Sequence, residues 1–179
     1  SFDFDPTFAT RDQGEPMAEE SKLDEQSAHK HFAASCFNRA WELIEKLDRT
    51  PDEEEEMIRL SHASHWHWTQ VKGHTPSNLS IGYWQLARVY ALAGEAENAR
   101  RYGRRSLEVS RDEGPFCLGY ARESLARAEV LAGNASAAEE HLQEAFRLAE
   151  QIKEAEEKSL LLADLNSLAS DNESGASGA

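Results

Sequence analysis

The feature that most constrains this chain is a segment that occurs twice. Leu86 to Ala99 reads LARVYALAGEAENA, and Leu125 to Ala138 reads LARAEVLAGNASAA, at a constant offset of 39 residues. The copies share Leu-Ala-Arg at the start, Leu-Ala-Gly in the middle and two later alanines. Such agreement of small, apolar and turn residues marks one structural unit used more than once. Apolar residues recur at helical spacing around each glycine, so each unit reads as helix, turn, helix. A helix with one apolar stripe buries it only against another helix, and repeated pairs therefore stack into a solenoid. Gly94 and Gly133 suit the left-handed residue that closes a helix before a tight turn.

Signals around the repeat extend the helical reading. In TPDEE, Thr50 is placed to cap, Pro51 to occupy the first turn and Glu53 to complete a capping box. The acidic run from Asp52 to Glu56 then lies where the helix dipole favours carboxylates. HTPSN, from His74 to Asn78, repeats that start signal. Phe37, Ala40, Trp41 and Ile44 follow the spacing of an apolar helix face. Leu161, Leu162, Leu165 and Leu168 describe a last amphipathic helix that covers the end of the array. About seven helices are expected, with no strand alternation. Residues 1–25 read as an irregular acidic arm, 26–169 as the helical domain and 170–179 as a disordered tail.

The residues around the turn glycines resemble the tetratricopeptide repeat, a helix–turn–helix family. Tyr83, Leu86, Ala87, Tyr90, Gly94, Ala99 and Ser106 match its pattern in one unit, and Leu125, Ala126, Gly133, Ala138 and Ala145 in the next. Arg122 and Glu129 stand at two aromatic positions, and Gly103 replaces another aromatic. The clearest units are about 81–113 and 120–151, after a degenerate first pair at about 28–72 and before a capping helix at about 154–169. The resemblance implies an all-α, right-handed superhelix of antiparallel helices. It also implies a groove lined by the first helix of each unit. Carried onto this chain, the groove positions are Trp84, Arg88, Tyr120, Glu123 and Arg127. Trp, Tyr and Arg are types that dominate binding hot spots. The family's Lys/Asn clamp for peptide carboxylates is not matched, because Trp84, Glu123 and Ser124 occupy its places. The alternative for Trp84 and Tyr120 is packing between helix pairs alone.

Composition narrows the function classes. A formal net charge of -14 disfavours general affinity for nucleic-acid phosphates or anionic lipid. No apolar run approaches the length of a membrane span, and SFDFDPTFAT lacks the pattern of a secretory signal. Cys36 and Cys117 stand apart among apolar helical residues, as reduced thiols of a cytoplasmic protein do. Of the 19 Lys and Arg, eight lie from Arg88 to Arg127, all arginine. Arg100, Arg101, Arg104 and Arg105 read as an outer face with salt bridges to glutamates, or as a patch for an acidic partner.

SHASHWHWTQ, residues 61–70, raises the question of a metal. At about 100° per residue His65 and His67 point apart, and only His62 and His65 could share an ion. A structural zinc needs four protein ligands. The segment therefore reads as a packing helix, with His67 and Trp68 in the core. No phosphate-cradling glycine loop, nucleophile elbow or clustered cysteine pair is present. These features describe a scaffold without enzymatic activity, cofactor or metal, which binds a protein or peptide partner. The alternatives are a ligand- or metal-responsive domain using residues 62–67, and a self-assembling homo-oligomer. The arm, with Phe2, Phe4 and Phe8 among Asp3 and Asp5, reads either as a mobile terminus or as a segment that docks on the array.

Overall fold

The computed structural model describes residues 24–176, so the arm up to residue 23 and the tail residues 177–179 lie outside the described residues. Seven helices make up the fold: α1 (Glu25–Glu45), α2 (Pro51–Gln70), α3 (Pro76–Leu92), α4 (Ala96–Val109), α5 (Pro115–Leu131), α6 (Ala135–Ala149) and α7 (Ala155–Ala176). No strand occurs among the described residues.

Local chemistry sets the helix ends. Thr50 and Glu53 form a reciprocal capping box at α2, with Pro51 in its first turn. Thr75 and Asn78 do the same for α3, ahead of Pro76. These boxes satisfy amides that the first turn leaves without intrahelical partners. Between the two helices of each repeated unit the chain reverses through Gly94 (φ 77°) and Gly133 (φ 74°), where a Cβ would be strained. The longer 110–114 link between units closes on Gly114 and Pro115.

The pairs α1/α2, α3/α4 and α5/α6 stack in order, with α2 on α3, α4 on α5 and α6 on α7. Direct contacts of α3 with α5, and of α5 with α7, bring these first helices onto one face. This is a helical solenoid of tetratricopeptide-like design. Small residues permit the close stacking: Ala87, Ala99, Ala126 and Ala138 are buried, and a Cβ at Gly119 would collide with Leu161 of α7. Leu161, Leu165 and Leu168 close the core over Ala126, Leu142 and Ala145. They anchor a helix that continues to Ala176, into the stretch read from sequence as a disordered tail. No proline interrupts that stretch, and extending an anchored helix avoids the cost of nucleating a new one.

Candidate functional site

The first helices α1, α3 and α5 each present aromatic side chains to the shared face. Phe37 and Trp41 of α1 stack at 6.4 Å between ring centroids. Trp41 then meets Trp84 of α3 at 5.5 Å, and Trp84 meets the edge of Tyr120 of α5 at 5.0 Å. Phe116, one turn before Tyr120, packs on it at 5.1 Å. This continuous aromatic run edges two adjoining pockets. One, of about 190 Å³, is lined by Ser80, Ile81, Trp84, Phe116, Cys117 and Tyr120. The other, of about 170 Å³, is lined by Ala34, Phe37, Asn38, Trp68, Asn78 and Ile81. Ile81 is shared by both and is 39% exposed. The result is an apolar groove across α1, α3 and α5.

Behind this groove lies an ion network. Glu123 of α5 is fully buried. It accepts from Arg127 Nε at 2.9 Å and from Arg127 Nη2, from Arg88 Nη1 at 3.4 Å and from Trp84 Nε1 at 3.0 Å. Two guanidiniums thus converge on one carboxylate, which offsets their mutual repulsion. Burial and the neighbouring Arg127 lower the Arg88 pKa. The Tyr120 hydroxyl donates to Asp164 of α7 at 3.2 Å. Burial, then the Glu123 charge, pushes Asp164 above the usual carboxylate range.

The five residues singled out in the sequence therefore form one cluster, but with unequal roles. Trp84 and Tyr120 line the pocket, and Arg88 and Arg127 are partly exposed partners of Glu123. Glu123 is sealed beneath them and has no surface for a partner to touch. Its burial follows from the two arginines closing over it. Sequence reasoning did not find Ile81, Phe116 or Asp164 as parts of this region. The i, i+3 spacing of Ile81 and Trp84 and the i, i+4 spacing of Phe116 and Tyr120 carry that signal.

The tetratricopeptide repeat family model matches residues 78–151, the span from α3 through α6. The protein is a tetratricopeptide-like helical repeat protein. Repeats of this family generally mediate protein–protein interactions, and the family is typically a non-enzymatic scaffold. No curated protein and no solved structure matches the chain.

The departures from the tetratricopeptide pattern have structural explanations. Tyr83 and Tyr90 of the first repeated unit stack on Tyr102 of α4, at 6.3 and 5.5 Å. The equivalent residues of the next unit, Arg122 and Glu129, make polar contacts instead. Arg122 lies 3.2 Å from His141 of α6. Glu129 takes two bonds from Arg100 of α4, at 2.5 and 2.8 Å. The Arg100 bonds hold Glu129 down at a pKa of about 2. Arg100 is consequently a partly buried link between units, whereas Arg101, Arg104 and Arg105 are exposed.

The histidine-rich helix is divided among separate neighbours. His62 Nε2 lies 2.9 Å from the Tyr90 hydroxyl, and His67 Nδ1 lies 2.8 Å from His29 Nδ1 of α1. His65 packs on Tyr83 at 4.1 Å, and its Nδ1 has no hydrogen-bond partner. Burial lowers the His65 pKa to about 4. Met57, Ser61 and Ser64 are the fully covered positions of α2, while His67 and Trp68 are only partly buried. Among the described residues no group of three or more His, Cys, Asp or Glu is placed to hold a metal. Also among them, no helix is long and apolar enough to cross a membrane.

Proposed function

We propose that this protein is a cytoplasmic scaffold or adaptor, without catalytic activity of its own, that holds an extended peptide or partner helix along α1, α3 and α5. The apolar groove running from Phe37 through Ile81 to Tyr120 carries this reading. An exposed apolar channel at the face of a repeat array is an unfavourable surface in water and a favourable one against a ligand. Trp84 and Tyr120 supply rigid aromatic walls. Arg88 and Arg127 flank the groove and orient a polar ligand group, and Glu123 holds both from below. Because these arginine charges are largely balanced by Glu123 and Asp164, apolar side chains dominate recognition and the acidic content of a ligand is secondary.

Selection from a displayed random-peptide library on the immobilised protein tests this reading. Peptides with aromatic or large aliphatic anchors are expected, and Ile81→Asp should weaken their binding at least tenfold while the fold is retained. Failure to select any anchored sequence, or equal binding by Ile81→Asp, would overturn it.

A further inference from the structure

The first half of α1 has little apolar burial to hold it on the array. Of residues 25–36 Ala33 alone is fully covered, whereas Ala40 and Ile44 anchor the second half. Phe32 and Trp66, the large apolar rings at that end, are exposed. The ties there are polar. Ser64 Oγ donates to Ala33 O at 2.8 Å, Gln26 bonds Gln70 O at 3.2 Å and Lys72 N at 2.7 Å, and His29 Nδ1 faces His67 Nδ1 at 2.8 Å. Segments with few buried apolar contacts lie at the low end of local stability. Ala34, Phe37 and Asn38 belong to this stretch or follow it directly, and they form the α1 side of the pocket shared with Trp68 and Ile81.

The histidine contact has a proton requirement that the other ties lack. Two imidazole nitrogens at this distance need one Nδ1–H and one bare Nδ1. A first added proton is accommodated, because Glu25 Oε1 lies 3.8 Å from His29 Nε2. A second makes both rings imidazolium, so both Nδ1 atoms become donors and the two charges repel. Among the described residues Glu25 is the one carboxylate within 4 Å of either ring. Lys30 and His31, beside His29 on α1, are exposed. His62 and His65 of α2 turn toward Tyr90 and Tyr83 of α3.

We infer that the His29–His67 contact is a proton-operated clasp, which holds the first half of α1 as a wall of the groove at neutral pH and frees it on acidification, releasing the partner. This inference rests on the groove being a peptide-binding surface. Burial, then the His29 charge, lowers the His67 pKa in the closed form. The opened form therefore takes up the second proton first, and opening grows as pH falls below about 6.5. One such proton shifts the opening equilibrium about tenfold between pH 7.5 and 5.5. His65, with a pKa of about 4, is still neutral at the lower value. The pocket lined by Trp84, Phe116 and Tyr120 has no α1 residue in its walls and keeps its shape.

Two measurements at about pH 7.5 and 5.5 test it, on the full chain and on its His67→Asn variant. One is amide hydrogen exchange over residues 25–36, corrected for the intrinsic effect of pH. The other is the affinity of a library-selected peptide. Asparagine places its amide close to where Nδ1 stood and does not titrate. The unaltered chain should lose at least about threefold in both protection and affinity at the lower pH, and His67→Asn should lose neither. His29→Asn makes the same comparison from α1, should the first substitution weaken the fold.

Unchanged protection of α1 in the unaltered chain would overturn the clasp whatever the groove binds. An equal loss in the asparagine variants would also overturn it, since another group is then the sensor. Lost protection with unchanged peptide affinity would overturn partner release and leave the groove as a peptide site. Failure to select any peptide sinks the groove reading and partner release with it, while the exchange data still report whether the clasp exists.

Discussion

Replacing Glu123 by glutamine should destabilise the protein far more than its single lost charge suggests. The substitution keeps the shape of the side chain and an acceptor for Trp84 Nε1, and it removes the anion on which Arg88 and Arg127 converge. The Glu123 side chain is 1% exposed, and the arginines are 20% and 18% exposed. Water therefore compensates little. Removing one member of a buried ion pair typically costs about 3–5 kcal/mol. Asp164 remains close and supplies some negative potential, which places the expected loss near the lower end, about 3 kcal/mol. For a chain of this size each kcal/mol corresponds to about 2–4 °C in Tm, so a fall of roughly 6–12 °C is expected. Thermal and urea denaturation followed by circular dichroism measure it. In an Arg88→Met background the same change should cost less, because one stranded cation has already gone, giving a coupling of at least about 1 kcal/mol. A loss below about 0.5 kcal/mol for Glu123→Gln, or full additivity with Arg88→Met, would refute the picture of one buried carboxylate serving two partly buried guanidiniums.

The same logic applies elsewhere in the array. His65 has a folded pKa of about 4, below its unfolded value near 6.5. The unfolded chain therefore takes up the proton first. Stability is full above about pH 6.5 and falls as pH drops toward 4, by about 1–2 kcal/mol from this partly buried residue once solvent screening is allowed for. A Tm–pH profile should show that slope, and His65→Phe should flatten it. Glu129→Gln leaves Arg100 without its bidentate partner between α4 and α5, and should cost about 2–3 kcal/mol by urea denaturation. Gly133→Ala forces a side chain onto φ 74° and should cost about 1–2 kcal/mol. Gly94→Ala, at φ 77°, is the matched test, with a loss of similar size expected.

What the sequence determined by itself was local. The LAG turns, the Thr–Pro–X–Glu and Thr–Pro–X–Asn starts and the apolar spacing of Phe37 to Ile44 each encode their structure within a few residues. Helix number, pairing and turn positions follow from such short-range rules, as does the placement of Trp84 and Tyr120 on first helices. The tertiary structure decided which distant residues meet. Glu123 could be assigned to a first helix, but its burial depends on Arg88 arriving from α3 and Arg127 closing from one turn ahead. Arg100 looked like its exposed neighbours until α5 brought Glu129 beneath it. His67 meets His29 because α1 lies across α2, and Asp164 joins Tyr120 because α7 caps the stack. Backbone hydrogen bonding and side-chain periodicity repeat along one helix and are therefore written in neighbouring letters. The pairing of charges and rings across helices depends on the offset and rotation with which two helices pack, and only the whole stack fixes those.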